Sequence, residues 1–510
     1  MLDRPLSMLA AGVFAVGVLA GACTATLDFT ECREDSDCSK FFEDDKPMRC
    51  DNFQCVARDG CENNSQCAGL GEGYVCTVVG TCVQAASDQC AAPVYPDDEV
   101  SDDVVLIGSL VAKEGPDAAL GEAAEKAIVQ AVKDFNAATK LQSGKGVALV
   151  VCDTKGTKEG AKLAASHLGE SLAVPAILGP LADLELSEVA QRVTLINGVR
   201  AFTHSPLAAA ELEFPDSKLV WQTQIGVLYQ ARAIGAHLAA ETADGVFGDP
   251  AAKPVTRMLF NQTDGYGYPM YYAIATEETD GEVNRIPEGG PQKITSYKSV
   301  ADGTTKLADY VDGSTQVLIL VGGAEVAELL AAYAATGSAW PTRVYIGTRS
   351  RAAVEKLGDL NDLSGALRLI GPDLGSEAAL AVQARVGDTT PEVALAYDAT
   401  MATLLAMAGI AEGSAVTGPN IVTNMARLNG AEGLAISFAD DPKTFIKDAV
   451  DALAMDGDLQ ITGASGPLDY TVSDGTMCGD LAAFTYDGAS FTLSQRFTTS
   501  CPDATGTWSE

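Results

Sequence analysis

From Val104 onward the chain alternates short apolar runs with longer stretches of helical spacing, and this rhythm limits the fold more than any other feature. Val104–Gly108, Val147–Val151 and Val174–Gly179 are apolar runs of strand length. Leu120–Ala137, Gly160–Leu172 and Leu186–Gly198 carry Ala, Ile, Val and Leu at helical spacing. A strand that is apolar at successive positions, not at every second one, is buried on both faces. That calls for a parallel sheet wrapped by helices. The pattern resumes at Arg257–Phe260, Val317–Val321 and Arg343–Ile346, with Glu325–Thr336 an amphipathic helix after Gly322-Gly323. Two parallel sheets are expected, with any ligand beyond the carboxyl ends of their strands.

The N-terminus reads as an export signal. Arg4 precedes an uncharged apolar run, Met8 to Ala20, that is too short to span a bilayer. Ala20-Gly21-Ala22-Cys23 follows. Small residues before a Cys resemble a lipoprotein lipobox, which makes Cys23 the candidate lipidation site. Ala20-Gly21-Ala22 reads equally as an ordinary cleavage site, and both readings stay open. Export implies the periplasmic or cell-surface side of the envelope, with membrane attachment by a lipid anchor only.

Thirteen cysteines fit an oxidising compartment. With Cys23 set aside the rest are even in number. Eight form two similar blocks: Cys32, Cys38, Cys50, Cys55 and then Cys61, Cys67, Cys76, Cys82. Residues 23–84 therefore read as a duplicated small module, each copy held by two disulfides because it is too short to bury a sufficient core. Zinc is disfavoured, since the region has no C-x-x-C pair and no His. Four cysteines allow three connectivities, and the sequence does not choose. Residues 85–103, with Pro93, Pro96 and the acidic run Asp97-Asp98-Glu99, read as a stiff, charge-extended linker.

The formal charge of −35 excludes a phosphate-tracking surface, so no nucleic-acid partner is expected. No H-E-x-x-H, G-x-S-x-G or phosphate-loop motif is present, which argues against an enzyme and against a metal or other cofactor.

The order of motifs in the large domain resembles the type I periplasmic binding proteins, in the branched-chain amino acid (Leu/Ile/Val) subfamily of ABC-transporter substrate-binding lipoproteins. The resemblance rests on Ile107-Gly108 with Gly115-Pro116, on Pro175–Pro180, on Ser205-Pro206, and on Asp264-Gly265-Tyr266-Gly267. Ala396-Tyr397-Asp398-Ala399 and Gly463–Asp469 complete it. It implies an α/β fold of two lobes, each a parallel sheet wrapped by helices, joined by three crossings and preceded by the disulfide-rich module. The implied organisation is a signal peptide over 1–22, the Cys-rich module over 23–84, the linker over 85–103 and a two-lobed domain over 104–510. Lobe I would take about 104–222 and 373–481, and lobe II about 223–372 and 482–510. The crossings would lie near Gln222–Gln224, Ile370–Gly375 and Leu481–Thr485.

The resemblance also implies a cleft formed by Asp183, Ser205, Ala209, Tyr266, Ala324 and Arg349. Several of these depart from the family. Asp183 stands where a Ser meets the ligand carboxylate, and Ala209 follows Ser205-Pro206 without the usual hydroxyl. Arg349 replaces the acid that meets the ligand ammonium, and Ala324 replaces an aromatic. Tyr266 keeps its family type. Two readings follow. Either the ligand changed, with a cationic or hydroxyl-rich group at Asp183 and an acidic group at Arg349, or the two pair across the cleft and nothing specific binds. A helix N-terminus at Ala118–Gly121 offers backbone donors. His204, at a strand end, is a further candidate contact.

Cys478 and Cys501 flank an expected hairpin, Ala482 to Phe497, and are expected to pair. Cys90 would then pair with Cys152. The expected function is an exported solute-binding lipoprotein that closes on a small polar, amino-acid-like solute for an ABC permease or a sensor. The alternative is a cell-surface interaction lipoprotein on a degenerate binding fold.

Overall fold

The computed structural model describes residues 42–43, 46–51, 54–57, 60–77, 80–96, 101–194, 200–209, 218–275, 293–358, 360–430, 432–473, 475–500 and 505–509. Cys23, Cys32, Cys38 and Cys501 lie outside them. Among the described residues no helix is long and apolar enough to cross a membrane.

The Cys-rich region begins with a meander of β1 (Phe42–Glu43), β2 (Lys46–Asp51) and β3 (Gln54–Ala57). A second hairpin, β4 (Tyr74–Cys76) and β5 (Cys82–Gln84), belongs to the second cysteine block. There the bonds are Cys61–Cys76 and Cys67–Cys82, an interleaved pairing with a sequence separation of 15 in each.

The first part of the stretch that follows, residues 85–94, packs on the large domain. Residues 89–94 run antiparallel along the outer edge of the first sheet. Val94 and Leu149 exchange backbone hydrogen bonds, Ala91 N–H donates to the Val151 carbonyl, and Cys90 is bonded to Cys152. Ala85 is fully buried, and its carbonyl meets His167 Nε2 at 2.9 Å. Val75, Ala85 and Cys90 share a core with Leu110, Val150 and Leu168 of the large domain. An edge strand offers unpaired backbone groups, and this segment covers them. Pro93 lies within this docked segment, and Asp97-Asp98-Glu99 lie outside the described residues.

The first sheet comes from β6 (Val104–Val111), α1 (Ala118–Ala138), β7 (Gly146–Asp153), α2 (Lys158–Ser166), β8 (Ala176–Leu178), α3 (Asp183–Val189), β9 (Phe202–Ser205) and β10 (Val220–Gln222). Its strand order is β10-β9-β8-β6-β7, all parallel. β7 is buried at every position except its last, as its apolar run requires.

The second sheet follows from α4 (Val227–Ala243), β11 (Thr256–Asn261), α5 (Gly267–Ala275), β12 (Lys293–Tyr297), α6 (Val300–Tyr310), β13 (Val317–Val321), α7 (Glu325–Ala334), β14 (Arg343–Ile346), α8 (Arg351–Leu357) and β15 (Leu367–Gly371). The chain then returns to the first lobe with α9 (Glu377–Val386), α10 (Val393–Ala408), α11 (Gly418–Met425), β16 (Leu434–Ser437), α12 (Pro442–Ala454), β17 (Leu459–Gly463), β18 (Gly466–Pro467), β19 (Asp469–Thr471) and β20 (Thr476–Cys478). Finally β21 (Leu481–Tyr486), β22 (Phe491–Ser500) and β23 (Thr505–Ser509) add three antiparallel strands to β15. The second sheet therefore reads β12-β11-β13-β14-β15-β21-β22-β23.

The chain thus passes between lobes three times: after Gln222, after Gly371, and between Cys478 and Leu481. The third passage comes just before Leu481, because β21 already pairs with β15 from Ala482 onward. α10 is the spine of the first lobe, with all of its residues buried. Within it Asp398 accepts hydrogen bonds from Ala464 N (2.8 Å), Ser465 N (2.7 Å) and Ser465 Oγ (2.6 Å). A Cβ on Gly463 would stand 2.6 Å from Asp398 Oδ2, so the turn needs glycine there. The Ala-Tyr-Asp and Gly-Ala-Ser motifs are therefore two halves of one contact.

Candidate functional site

The carboxyl edges of the two sheets face each other, and the loops that leave them carry the charged residues. Asp183 opens α3, immediately after the turn that leaves β8, and is 3% exposed. Its Oδ1 accepts from Ala209 N at 2.7 Å, which ties the turns after β8 and β9 together. Arg349 lies in the turn after β14. Its Nη1 approaches Asp183 Oδ2 at 3.6 Å and donates to the Leu181 carbonyl at 3.3 Å. Its Nη2 donates to Asp117 Oδ2 at 3.2 Å, just before α1. One guanidinium from lobe II thus bridges two carboxylates and a carbonyl of lobe I.

The electrostatics around Arg349 are lopsided. Burial alone would lower its pKa, but Asp117, Asp183, Asp264 and Glu185 together raise it. The acids are strained in the opposite sense. Burial lifts Glu185 to about 7, against a 3.1 Å hydrogen bond from Thr154 Oγ1. Burial lifts Asp264 to about 6, opposed by Arg349 and by the Tyr266 N–H. One cation does not fully offset four acids in a poorly solvated space.

The remaining sequence candidates sit around this pair with their polar groups already engaged by the protein. Ser205 Oγ donates to the Pro180 carbonyl at 2.5 Å and accepts from Ala208 N at 3.1 Å. Tyr266 is fully buried, and its hydroxyl donates to Gln230 Oε1 at 2.7 Å. Ala209 carries only its backbone to Asp183 and, through its carbonyl, to Val227 N. His204 is buried between Thr403 Oγ1 (3.0 Å) and Thr223 Oγ1 (2.8 Å), and desolvation pushes its pKa down to about 3. It works as a neutral strut joining β9, the first crossing and α10.

A cavity of about 790 Å³ opens beside the Asp183–Arg349 pair, between the lobes and against the first two crossings. Of the six predicted cleft residues, Ala324 and Arg349 line it. Its walls are largely apolar: Leu120, Leu207 and Leu395 from lobe I, Leu369 from β15, and Leu374 from the second crossing. Polar residues line it too, and two that the sequence did not single out carry buried polar atoms without a partner. Gln224, in the first crossing, is 4% exposed, and its Nε2 has no hydrogen-bond partner. Glu392, directly before α10, has a buried Oε2 without a partner, and burial raises its pKa. The crossing position of Gln224 and the closeness of Glu392 to Ala396-Tyr397-Asp398 were the available signals.

Two α/β lobes, joined by three passages of chain and meeting over a cavity, are the architecture of a two-lobed binding protein. The chain belongs to the periplasmic binding protein family, whose profile matches residues 104–487. Members of that family bind small solutes outside the cytoplasm and are binding proteins, not enzymes. The fold is similar to that of a leucine-binding protein from Thermotoga maritima MSB8, at 15% identity and a TM-score of 0.59, covering 78% of this chain and 99% of that one. It is also similar to a solute-binding protein of an ABC transporter from R. palustris solved with 4-hydroxybenzoate, at 15% identity and a TM-score of 0.58, covering 78% and 97%. A third is the branched-chain amino acid binding protein of Streptococcus pneumoniae solved with isoleucine, at 15% identity and a TM-score of 0.57, covering 77% and 100%. No curated protein matches the chain significantly.

Proposed function

We propose that this protein is an exported solute-binding lipoprotein that closes on a small polar, amino-acid-like ligand and presents it to an ABC permease or a sensor. The observation that carries this reading is the cavity of about 790 Å³ between the lobes, walled by residues of both lobes and of two crossings. Rotation of one lobe against the other changes its walls, so a ligand that touches both lobes binds the closed form better and shifts the equilibrium towards it. Structural relatives named as leucine-binding or solved with isoleucine or 4-hydroxybenzoate support a ligand of that size with an apolar body. In this reading lobe I takes residues 104–222 and 373–481, lobe II takes 223–372 and 482–510, and Cys23 carries the lipid.

A second reading has an observation of its own. Asp183 and Arg349, at positions where family members meet their ligand, meet each other instead. That arrangement suits a surface interaction protein built on a binding fold whose original subsite is filled.

A thermal-shift screen of the mature chain against amino acids, amines, carboxylates and sugars separates the two. A ligand at a hundred times its Kd adds about 2.7 kcal/mol of stability, which gives a clear rise in Tm. A flat response across all four classes removes the solute-binding reading and leaves the surface one.

A further inference from the structure

We infer that the interlobe cavity selects ligands bearing a cationic or hydrogen-bond-donating head on an apolar body, with Glu392 as the residue that reads the head and Gln224 as a second polar contact. This rests on the solute-binding reading above and specifies its ligand class.

Four observations carry the assignment. The cavity-lining arginines are already engaged. Arg349 is held by Asp117, Asp183 and the Leu181 carbonyl. Arg351 donates to Glu355 Oε1 at 3.3 Å and stacks on the Phe484 ring, with its Cζ 4.7 Å from the centroid. A ligand carboxylate would therefore find no unengaged guanidinium there; the remaining lining cation, Lys356, is exposed to solvent, and Glu325, Glu328 and Glu392 line the same space.

Glu392 itself presents the opposite need. Its Oε2 is buried without a partner, on a residue that lines the cavity. A buried acceptor left unsatisfied is costly, and a buried carboxylate more so. An ammonium or another strong N–H donor removes that cost and gains a charge-assisted hydrogen bond. Gln224 Nε2 is the complementary case, a buried donor that wants an acceptor such as a ligand hydroxyl or carbonyl. Leu120, Leu207, Leu369, Leu374 and Leu395 give the cavity apolar walls that suit an aliphatic or aromatic body, with Asp117, Glu325, Glu328 and Thr348 also on its lining.

The residues also fit lobe closure. Glu392 belongs to lobe I but feels Arg349, Arg351 and Glu355 of lobe II, so it sits where the lobes meet. Gln224 belongs to a crossing. A ligand touching both is held at the hinge side of the cleft, where a small rotation moves every wall.

Isothermal titration of the full mature chain with isosteric pairs tests this: isoamylamine against 4-methylpentanoate, and phenethylamine against 3-phenylpropionate, with leucine and phenylalanine alongside. At least one amine is expected to bind more than about tenfold tighter than its matched acid. Glu392→Gln, which keeps the shape and removes the charge, is expected to weaken that amine by more than about tenfold, as for a truncated buried charge pair, while its Tm stays within a few degrees of the parent. An acid or an amino acid that binds at least as tightly as the amines, with Glu392→Gln without effect, overturns the inference while solute binding stands. No heat with any of the six compounds overturns both.

Discussion

Arg349 of the second lobe and Asp183 of the first meet at 3.6 Å between Nη1 and Oδ2, with side chains 9% and 1% exposed, and the pair joins the carboxyl edges of the two lobes. Removing one partner of a buried pair leaves an uncompensated charge, a loss of about 3–5 kcal/mol. Arg349→Ala should therefore lower the urea midpoint sharply, because Asp117 and Asp183 both lose their counter-ion. Asp183→Asn in the same chain should recover part of the loss. Additive effects within ~0.5 kcal/mol in this double-mutant cycle would show that the two residues do not interact.

Gly265 marks how closely the lobes approach. A Cβ there would stand 2.5 Å from Leu184 N and 2.7 Å from Asp183 Cβ. Gly265 lies in the turn after β11, and both neighbours belong to α3 of the other lobe. Gly265→Ala should leave each lobe folded but hold the pair apart. Circular dichroism should be unchanged while the radius of gyration rises. A radius equal to that of the parent would mean that this contact does not limit closure.

The acids of the cleft make closure pH-dependent, with a definite sign. Burial raises Asp264 from 3.8 to about 6 and Glu185 from 4.5 to about 7. The state in which they are buried therefore binds more protons than the open or unfolded chain. Its stability from these groups is full below pH ~4 and is lost as pH rises through about 6 to 7. The chain should be more compact and harder to unfold at pH 5 than at pH 8. Asp264→Asn should flatten this dependence, and an equally steep profile in that variant would assign it to other groups.

Much of the fold was legible because buried parallel strands write themselves as apolar runs. Val147–Val151 and Val317–Val321 fall within strands buried along nearly their whole length. α1 was legible for the opposite reason, since its Ala, Ile, Val and Phe fall on one buried stripe. α10 offered no such contrast. It is buried all round, and its presence showed only through Asp398, whose role is to bind the 463–465 turn. The site was less legible. The family resemblance singled out Asp183 and Arg349 and left their pairing as one of two readings, and it said nothing of hydroxyl direction. Ser205 and Tyr266 turn their oxygens into their own lobes. Gln224 and Glu392 became visible only through the cavity, because an acid before an apolar helix reads as ordinary helix-start chemistry.

The docked segment before Val104 carries a further expectation. Cys90 and Cys152 are bonded across a separation of 62 residues. Loop-closure entropy makes such a bond worth about 4 kcal/mol. Replacing both cysteines by Ser should lower Tm and expose the 85–96 segment to proteases. An unchanged digestion pattern would mean that backbone pairing to β7 suffices without the bond. Cys478 is also disulfide-bonded. A non-reduced peptide map should link it to Cys501, and a free thiol at Cys501 would rule that partner out.

The central claim is that the two lobes close on a small solute. Small-angle scattering of the mature chain, with and without a saturating amount of the solute that most raises Tm, tests it most directly. The account predicts a smaller radius of gyration with solute present, and a smaller change in Gly265→Ala. Superimposable curves for the parent chain with and without a stabilising solute would contradict closure as the mechanism.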